Sequence, residues 1–451
     1  MSALLGRRAV VVGAGLGGLS VAGALADSFE RIEILERDRL TAIIGSRSGT
    51  PQDRHPHALL AGGLRALDEI FPGFADDLAR AGAVSVRVAQ DIQFERPDFG
   101  VAPKRDFGIS LLCASRPLIE FVLRHRAETT ANIALRPQCR VTEIVPAKTN
   151  DAVQGVRIDA GSGSSEIIAA DLVVDASGRG ALTLALLDAL DWQRPEVTEV
   201  GVDISYASAM VEIPPGAPSD WKLAVTFPDP PHLAWSAVLL PIEGNRWMVL
   251  VANRGVIARL ETRESFLEAC RSLITPTIYD ALRPAEPPGG IRHYGFPASL
   301  WRHFEQLPGL PRGLLPVADA LCRFNPVYGQ GMSVAAKQAR LLQDVSGRVL
   351  AEADPLAALQ AGFMEEVASV LETPWNMSTG PDLAFPSTRG SRPEKFEEAQ
   401  QFEAALFRAI VVDPVVHRAL TEVGQLLQPN SLLQTPDIMR RIGAVSAGKR
   451  A

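Results

Sequence analysis

Residues 13 to 18 read Gly-Ala-Gly-Leu-Gly-Gly, and an acid, Glu36, follows further on. Gly13, Gly15 and Gly18 stand in G-x-G-x-x-G spacing. The first glycine of such a set allows a tight turn. The second lets a diphosphate approach bare backbone, and the third lets a helix pack on a strand. Free N–H groups and the helix dipole then hold negative charge. A carboxylate ending the next strand accepts hydrogen bonds from a ribose diol. The chemistry is dinucleotide binding, with Arg37 beside Glu36 counted in the same site. The spacing does not separate NAD from FAD, and the fingerprint occurs once in the chain.

A second constellation lies far along the chain, in VADALCRFNPVYGQGMSVAAKQA at 317–339. Asp319 follows a short apolar run, and its carboxylate suits a ribityl or ribose hydroxyl. Pro326 stiffens the loop. Gly329 and Gly331, flanking Gln330, bring bare backbone against a flat ring. Met332 continues a helix whose N–H groups offset negative charge on such a ring, as on a reduced flavin, without a titrating side chain.

These groups need elements to carry them. Ala9 to Val12 reads as a buried strand. Leu16, Leu19, Ala22 and Leu25 or Ala26 recur at helical spacing, and Arg31 to Glu36 is a second strand, giving a βαβ unit. Leu314 to Val317 is a further strand, although Pro316 cannot donate to a ladder. Helices are expected at 58–70, 117–130, 262–282 and 331–350, and strands at 133–174 and 196–252. The last hundred residues are mostly helical with a break at 372–393. They cap a pocket, form a homodimer contact or complete the core; all three stay open.

The G-x-G-x-x-G at 13–18 together with D-x₆-P-x-x-G-x-G before a helix resembles the single-component FAD-dependent monooxygenases of the p-hydroxybenzoate hydroxylase fold. Ala318 stands where that family has glycine, while Asp319, Ala320, Pro326, Gly329, Gly331 and Met332 fit. Arg47-Ser-Gly-Thr-Pro-Gln52 is similar to the loop that contacts the FAD phosphates and ring. Arg116, after Ser115, resembles the arginine at a helix start near the ribityl chain, and Val141 matches the adenine contact. Asp171 to Arg179 resembles the middle motif, with Ala176 in place of a glycine. Pro51 to His57, Phe71-Pro72-Gly73 and Asn325 to Met332 are most similar to flavin-dependent epoxidases of polyether polyketide biosynthesis.

The resemblance implies an α/β fold: a Rossmann-like FAD-binding domain (1–83, 112–190, 293–350), an inserted β-sheet substrate domain (84–111, 191–292) and a C-terminal helical region (351–451). It implies FAD, with NAD(P)H and O₂ as co-substrates. One oxygen atom then enters a hydrophobic, secondary-metabolite substrate through a flavin C4a-hydroperoxide, by epoxidation or hydroxylation. The protein orients and excludes water, so no catalytic side chain is named. His57, Phe324 and Tyr328 are read as pocket residues. Trp221, Trp235, Trp247 and Trp301 are read first as core aromatics. A flavin-dependent reductase or desaturase of a prenyl or polyketide double bond is the alternative, as is a non-enzymatic flavin-binding partner. The W-x-W-x-I-P motif of flavin halogenases is absent.

Composition narrows the rest. The chain has 451 residues, 47% hydrophobic and 22% charged, with net charge -7. No basic cluster suggests nucleic acid. Four cysteines lack zinc-site spacing, and His55 with His57 makes a poor metal pair, so no metal is expected. No window has the apolar length of a membrane span. A cytoplasmic location is expected.

Overall fold

Parallel strands buried on both faces are near-continuous apolar runs, and the chain begins with one. A computed structural model describes residues 4–159, 164–255, 260–286 and 290–448. Its first sheet has five parallel strands, in the order Leu314–Pro316, Leu172–Asp175, Gly6–Val12, Phe29–Leu35 and Ile133–Arg136. Side chains alternate between two cores. Val11, Ile32, Ile34 and Val174 pack with the Leu16–Ala24 and Gly331–Arg348 helices. Val10, Val12, Leu35 and Val173 meet the antiparallel strands Arg140–Pro146, Val153–Asp159 and Ser165–Ala169. Pro316 is accommodated because its strand lies at the sheet edge, where a missing donor breaks no outer ladder.

The second sheet has eight strands. The long strands Val197–Glu212, Arg246–Arg254, Ser236–Ile242 and Arg292–Arg302 form its centre, and Ile92–Arg96 joins near one edge. Along Val197–Glu212, Val200, Val202, Ile204 and Tyr206 face the first core. Ala207, Ala209 and Val211 face the Arg263–Arg271 and Thr277–Leu282 helices on the other side. Trp221 and Trp247 stack in that far core, 6.0 Å between centroids, while Trp301 packs on Trp375 at 5.6 Å in the near one. All three are core aromatics.

One expectation needs correction. The break anticipated at 372–393 lies later, because the Pro355–Leu383 helix runs through Pro374 and Pro381. An interior proline costs about 3 kcal/mol. Burial of Phe363, Val367, Leu371 and Trp375 in the first core overrides it. The later helices Phe396–Val412, Pro414–Gly424 and Pro436–Ser446 build their own core around Ile410, Val416 and Ile438, against which Phe94 and Phe99 pack. Arg105 fastens it by donating to the Ile410 and Val411 carbonyls at 2.6 and 2.8 Å. Among the described residues, no helix is long and apolar enough to cross a membrane.

Candidate functional site

The glycines of the first motif divide their work. Gly13 has φ +103°, and a Cβ there would lie 2.8 Å from the Ala176 carbonyl. A Cβ on Gly18 would strike the Gly13 carbonyl at 1.9 Å. Both positions are therefore set by close packing. Around Gly15 a Cβ would meet nothing within 4 Å among the described residues, so this backbone faces open space. The Leu16–Ala24 helix begins there with no capping side chain and no acid in its first turn. Its first N–H groups are left for an anion.

Glu36 is buried beside that turn. Its Oε2 accepts from the Ala14 N–H at 2.9 Å and from Arg47 at 3.0 Å, and its Oε1 from the Asp38 N–H at 2.9 Å. A carboxylate offers about four acceptor positions, so capacity for a further donor remains. Arg47 also reaches the Ala14 carbonyl and Glu120 Oε2, each at 3.1 Å. Glu120 in turn accepts from Arg116 at 2.8 Å. A chain of alternating charge thus links Glu36, Arg47, Glu120 and Arg116. Burial works against the Arg47 charge, but Glu120 and Glu36 outweigh it and its pKa is raised. Arg37 is exposed next to this chain. The Cys139 N–H donates to the Glu36 carbonyl at 2.8 Å, which sets half-buried Val141 close by. Gln52 lies in the single turn Pro51–Arg54, half-buried, with its carbonyl accepting from the His55 N–H.

The second motif meets the first. A Cβ on Gly17 would sit 2.9 Å from the Ala318 methyl and 3.7 Å from that of Ala335. Ala318 itself adopts φ +55°, the left-handed region that explains a glycine preference. Its N–H donates to Gln338 at 2.7 Å. Asp319 follows, and among the described residues its carboxylate has no hydrogen-bond donor. Burial raises its pKa, against the nearby Arg116, Arg323 and Arg302. Pro326–Tyr328 is one turn ending at Gly329, φ +68°. Cβ atoms on Gly329 and Gly331 would touch nothing within 4 Å among the described residues. Gln330 is 3% exposed, yet among the described residues its Oε1 has no hydrogen-bond partner. The Gly331–Arg348 helix, which buries Met332 in its first turn, also opens without a capping side chain or an acid. Two packed helices therefore present bare N-termini, with an open carboxylate between the motifs.

The residues read as pocket-lining are placed differently from one another. Phe324 is 6% exposed and meets Trp375 at 6.5 Å, the setting of a core side chain. The Tyr328 hydroxyl donates to Asp382 at 2.9 Å. His57 Nδ1 is 2.6 Å from the His55 carbonyl. A carbonyl only accepts, so Nδ1 carries the proton and Nε2 is an acceptor. Burial, then Arg116, pushes the His57 pKa down to about 3. His55 contacts Ser208 Oγ at 2.7 Å and turns its edge to Tyr206; burial lowers its pKa to about 4. A cavity of about 590 Å³ opens here, lined among others by Arg47, Arg54, His55, Arg292 and His293. Asp382, Arg254 and Ser208 carry no motif in the sequence. Glu120 was readable as the i+4 partner of Arg116. No group of three or more His, Cys, Asp or Glu converges as a metal set among the described residues.

No protein-family model matches the chain. Protein Rv3254 of Mycobacterium tuberculosis is 30% identical over 449 residues, spanning 95% of this chain and 91% of that protein. The chain belongs to the Rv3254 family. Solved structures extend the comparison for this family member. PnpA, a p-nitrophenol 4-monooxygenase from Pseudomonas putida, superposes with TM-score 0.66 and 18% identity over 95% of this chain and 100% of its own. PqsL, a probable FAD-dependent monooxygenase from Pseudomonas aeruginosa, gives 0.60 and 16% over 84% and 97%. A flavoprotein/dehydrogenase from Cytophaga hutchinsonii gives 0.69 and 14% over 98% and 99%. At these identities the likeness is one of fold, and it is the α/β fold expected from the motifs.

Proposed function

We propose that the protein is an FAD-dependent monooxygenase that uses NAD(P)H and O₂ to place one oxygen atom in a hydrophobic small molecule. The observation that carries this reading is the pair of uncapped, acid-free helix starts packed together, with the open Asp319 carboxylate beside them. This donor set fits a flavin dinucleotide. Gly13, Gly15 and Gly18 would hold the diphosphate; Glu36, Arg37 and Val141 the adenosine end; Arg47, Gln52 and Arg116 the middle. Asp319 would take the ribityl chain, and Pro326, Gly329, Gln330, Gly331 and Met332 the ring. When bound, FAD supplies the oxygen chemistry, taking electrons from NAD(P)H and activating O₂.

The chain's own residues orient and insulate. N–H groups at the start of the Gly331–Arg348 helix offset negative charge with nothing to titrate. The apolar face carrying Val202, Ile204 and Tyr206 keeps water away. His57, neutral at ordinary pH, adds no charge there. The cationic cavity at Arg54 and Arg292 suits an anionic nucleotide donor. The names of PnpA and PqsL support a monooxygenase. Pro51 to His57 and Asn325 to Met332 resemble motifs of polyether epoxidases, which keeps alkene epoxidation beside aromatic hydroxylation, on a secondary-metabolite substrate.

The test is the visible spectrum of the purified protein under anaerobic NADH or NADPH, then on readmitting air. A flavin band that bleaches and returns with O₂ uptake, and product gaining one oxygen from ¹⁸O₂, supports the reading. Reduction of a substrate double bond without O₂ uptake replaces it with a reductase. No flavin bound after adding FAD overturns it.

A further inference from the structure

We infer that Asp382, in the last turn of the Pro355–Leu383 helix, is a positioning residue that fixes the Asn325–Gly331 loop for flavin binding; this rests on the FAD reading above. Asp382 is 0% exposed. Its Oδ1 accepts from Asn325 Nδ2 at 3.2 Å, from the Tyr328 hydroxyl at 2.9 Å and from Arg254. Its Oδ2 accepts again from Asn325 at 3.1 Å. Asn325, 1% exposed, turns its own Oδ1 to the Val327 N–H at 3.3 Å. One carboxylate thus grips both ends of the turn that delivers Gly329.

The grip comes from behind the loop, on the side of the Pro355–Leu383 helix. Gly329 and Gly331 have open space where a side chain would stand. Arg254 is the last residue of the Arg246–Arg254 strand, so the same carboxylate ties the loop to the eight-stranded sheet. The guanidinium also lies 4.3 Å over Phe385 and donates to the Thr388 hydroxyl at 3.3 Å, which donates to the Asp382 carbonyl at 2.6 Å. Loop, sheet and the Pro355–Leu383 helix meet at this residue. A buried ion pair is a weak source of stability, since apolar replacements of both partners are often neutral. Removing only the carboxylate orphans three buried donors. Position, rather than stability, is what the arrangement supplies.

The test uses the full-length apoprotein and follows FAD by flavin fluorescence titration, with melting measured in parallel. Tyr328→Phe removes one hydrogen bond and leaves the ion pair. It is expected to weaken FAD binding roughly tenfold, the loss of one charge-assisted hydrogen bond, with little change in Tm. Asp382→Asn should weaken binding further and lower Tm. The double variant Asp382→Leu with Arg254→Met should recover the part of Tm lost with the unpaired Arg254 charge while FAD binding stays weak, since Asn325 and Tyr328 still lack their acceptor. A merely structural residue would recover both, and that result overturns the inference. If the double variant fails to fold, Tyr328→Phe decides alone: an unchanged Kd overturns the inference while the FAD reading stands. Failure of the unaltered apoprotein to bind FAD overturns both.

Discussion

Ala318 holds a backbone conformation, φ +55°, that glycine enters freely and alanine does not. For an L-residue the left-handed region costs roughly 1–2 kcal/mol. Glycine gives back part of that relief through its greater freedom in the unfolded chain, roughly 0.4–1 kcal/mol. Ala318→Gly is therefore expected to stabilise the protein by about 0.5 kcal/mol. The urea midpoint should rise with an unchanged slope; a fall would mean that the Ala318 methyl against Gly17 matters more than the dihedral. The departure from glycine was visible in the sequence, but its cost was not, because only the dihedral carries it. The same limit applies to Phe324. Its place beside the ring motif made it a pocket residue on paper, while its packing on Trp375 makes it a core side chain.

Elements were legible where two independent patterns agreed. The Gly6–Val12 strand, the Leu16–Ala24 helix and the Phe29–Leu35 strand were read within a few residues, because apolar period and glycine chemistry pointed the same way. The Pro355–Leu383 helix was cut short on paper because proline is a local signal and burial of Leu371 and Trp375 is not. The loop at 52–57 carries a prediction of its own. His55 is 4% exposed, with its pKa lowered from 6.5 to about 4, and His57 is lowered to about 3. Below pH 6.5 the unfolded chain takes up protons that the folded loop refuses. Stability therefore rises with pH across the window from about 4 to 6.5 and is lost as pH falls through it. At pH 5 the His55 contribution to that loss is roughly 2 kcal/mol. The urea midpoint should drop between pH 7 and pH 5, and His55→Gln should flatten the dependence. Equal slopes for the variant and the natural protein would remove His55 as the cause.

At the scale of the whole molecule, the motifs at 13–18 and 317–339 were expected to serve one dinucleotide, from their chemistry and from the family resemblance, and the two stretches do pack together, with Gly17 against Ala318. The hub at Asp382 was not expected, because a single aspartate between proline and leucine makes no pattern. That hub bears on how the molecule unfolds. The first core includes both motif helices and residues of the Pro355–Leu383 helix, and Asp382 ties that helix to Asn325 and Arg254. The last helices have a separate core of their own, fastened through Arg105. FAD bound only by the folded chain adds about 2.7 kcal/mol at a hundredfold excess over Kd. Melting of the apoprotein should then give a main transition that FAD raises by a few degrees, since a larger chain gains fewer degrees per kcal/mol. Arg105→Ala should split off a lower transition, for the helices after residue 395, that FAD leaves unmoved. Scanning calorimetry with and without FAD reads both. A lower transition that rises with FAD as much as the main one would show that the last helices belong to the flavin-binding unit rather than to a separate cap.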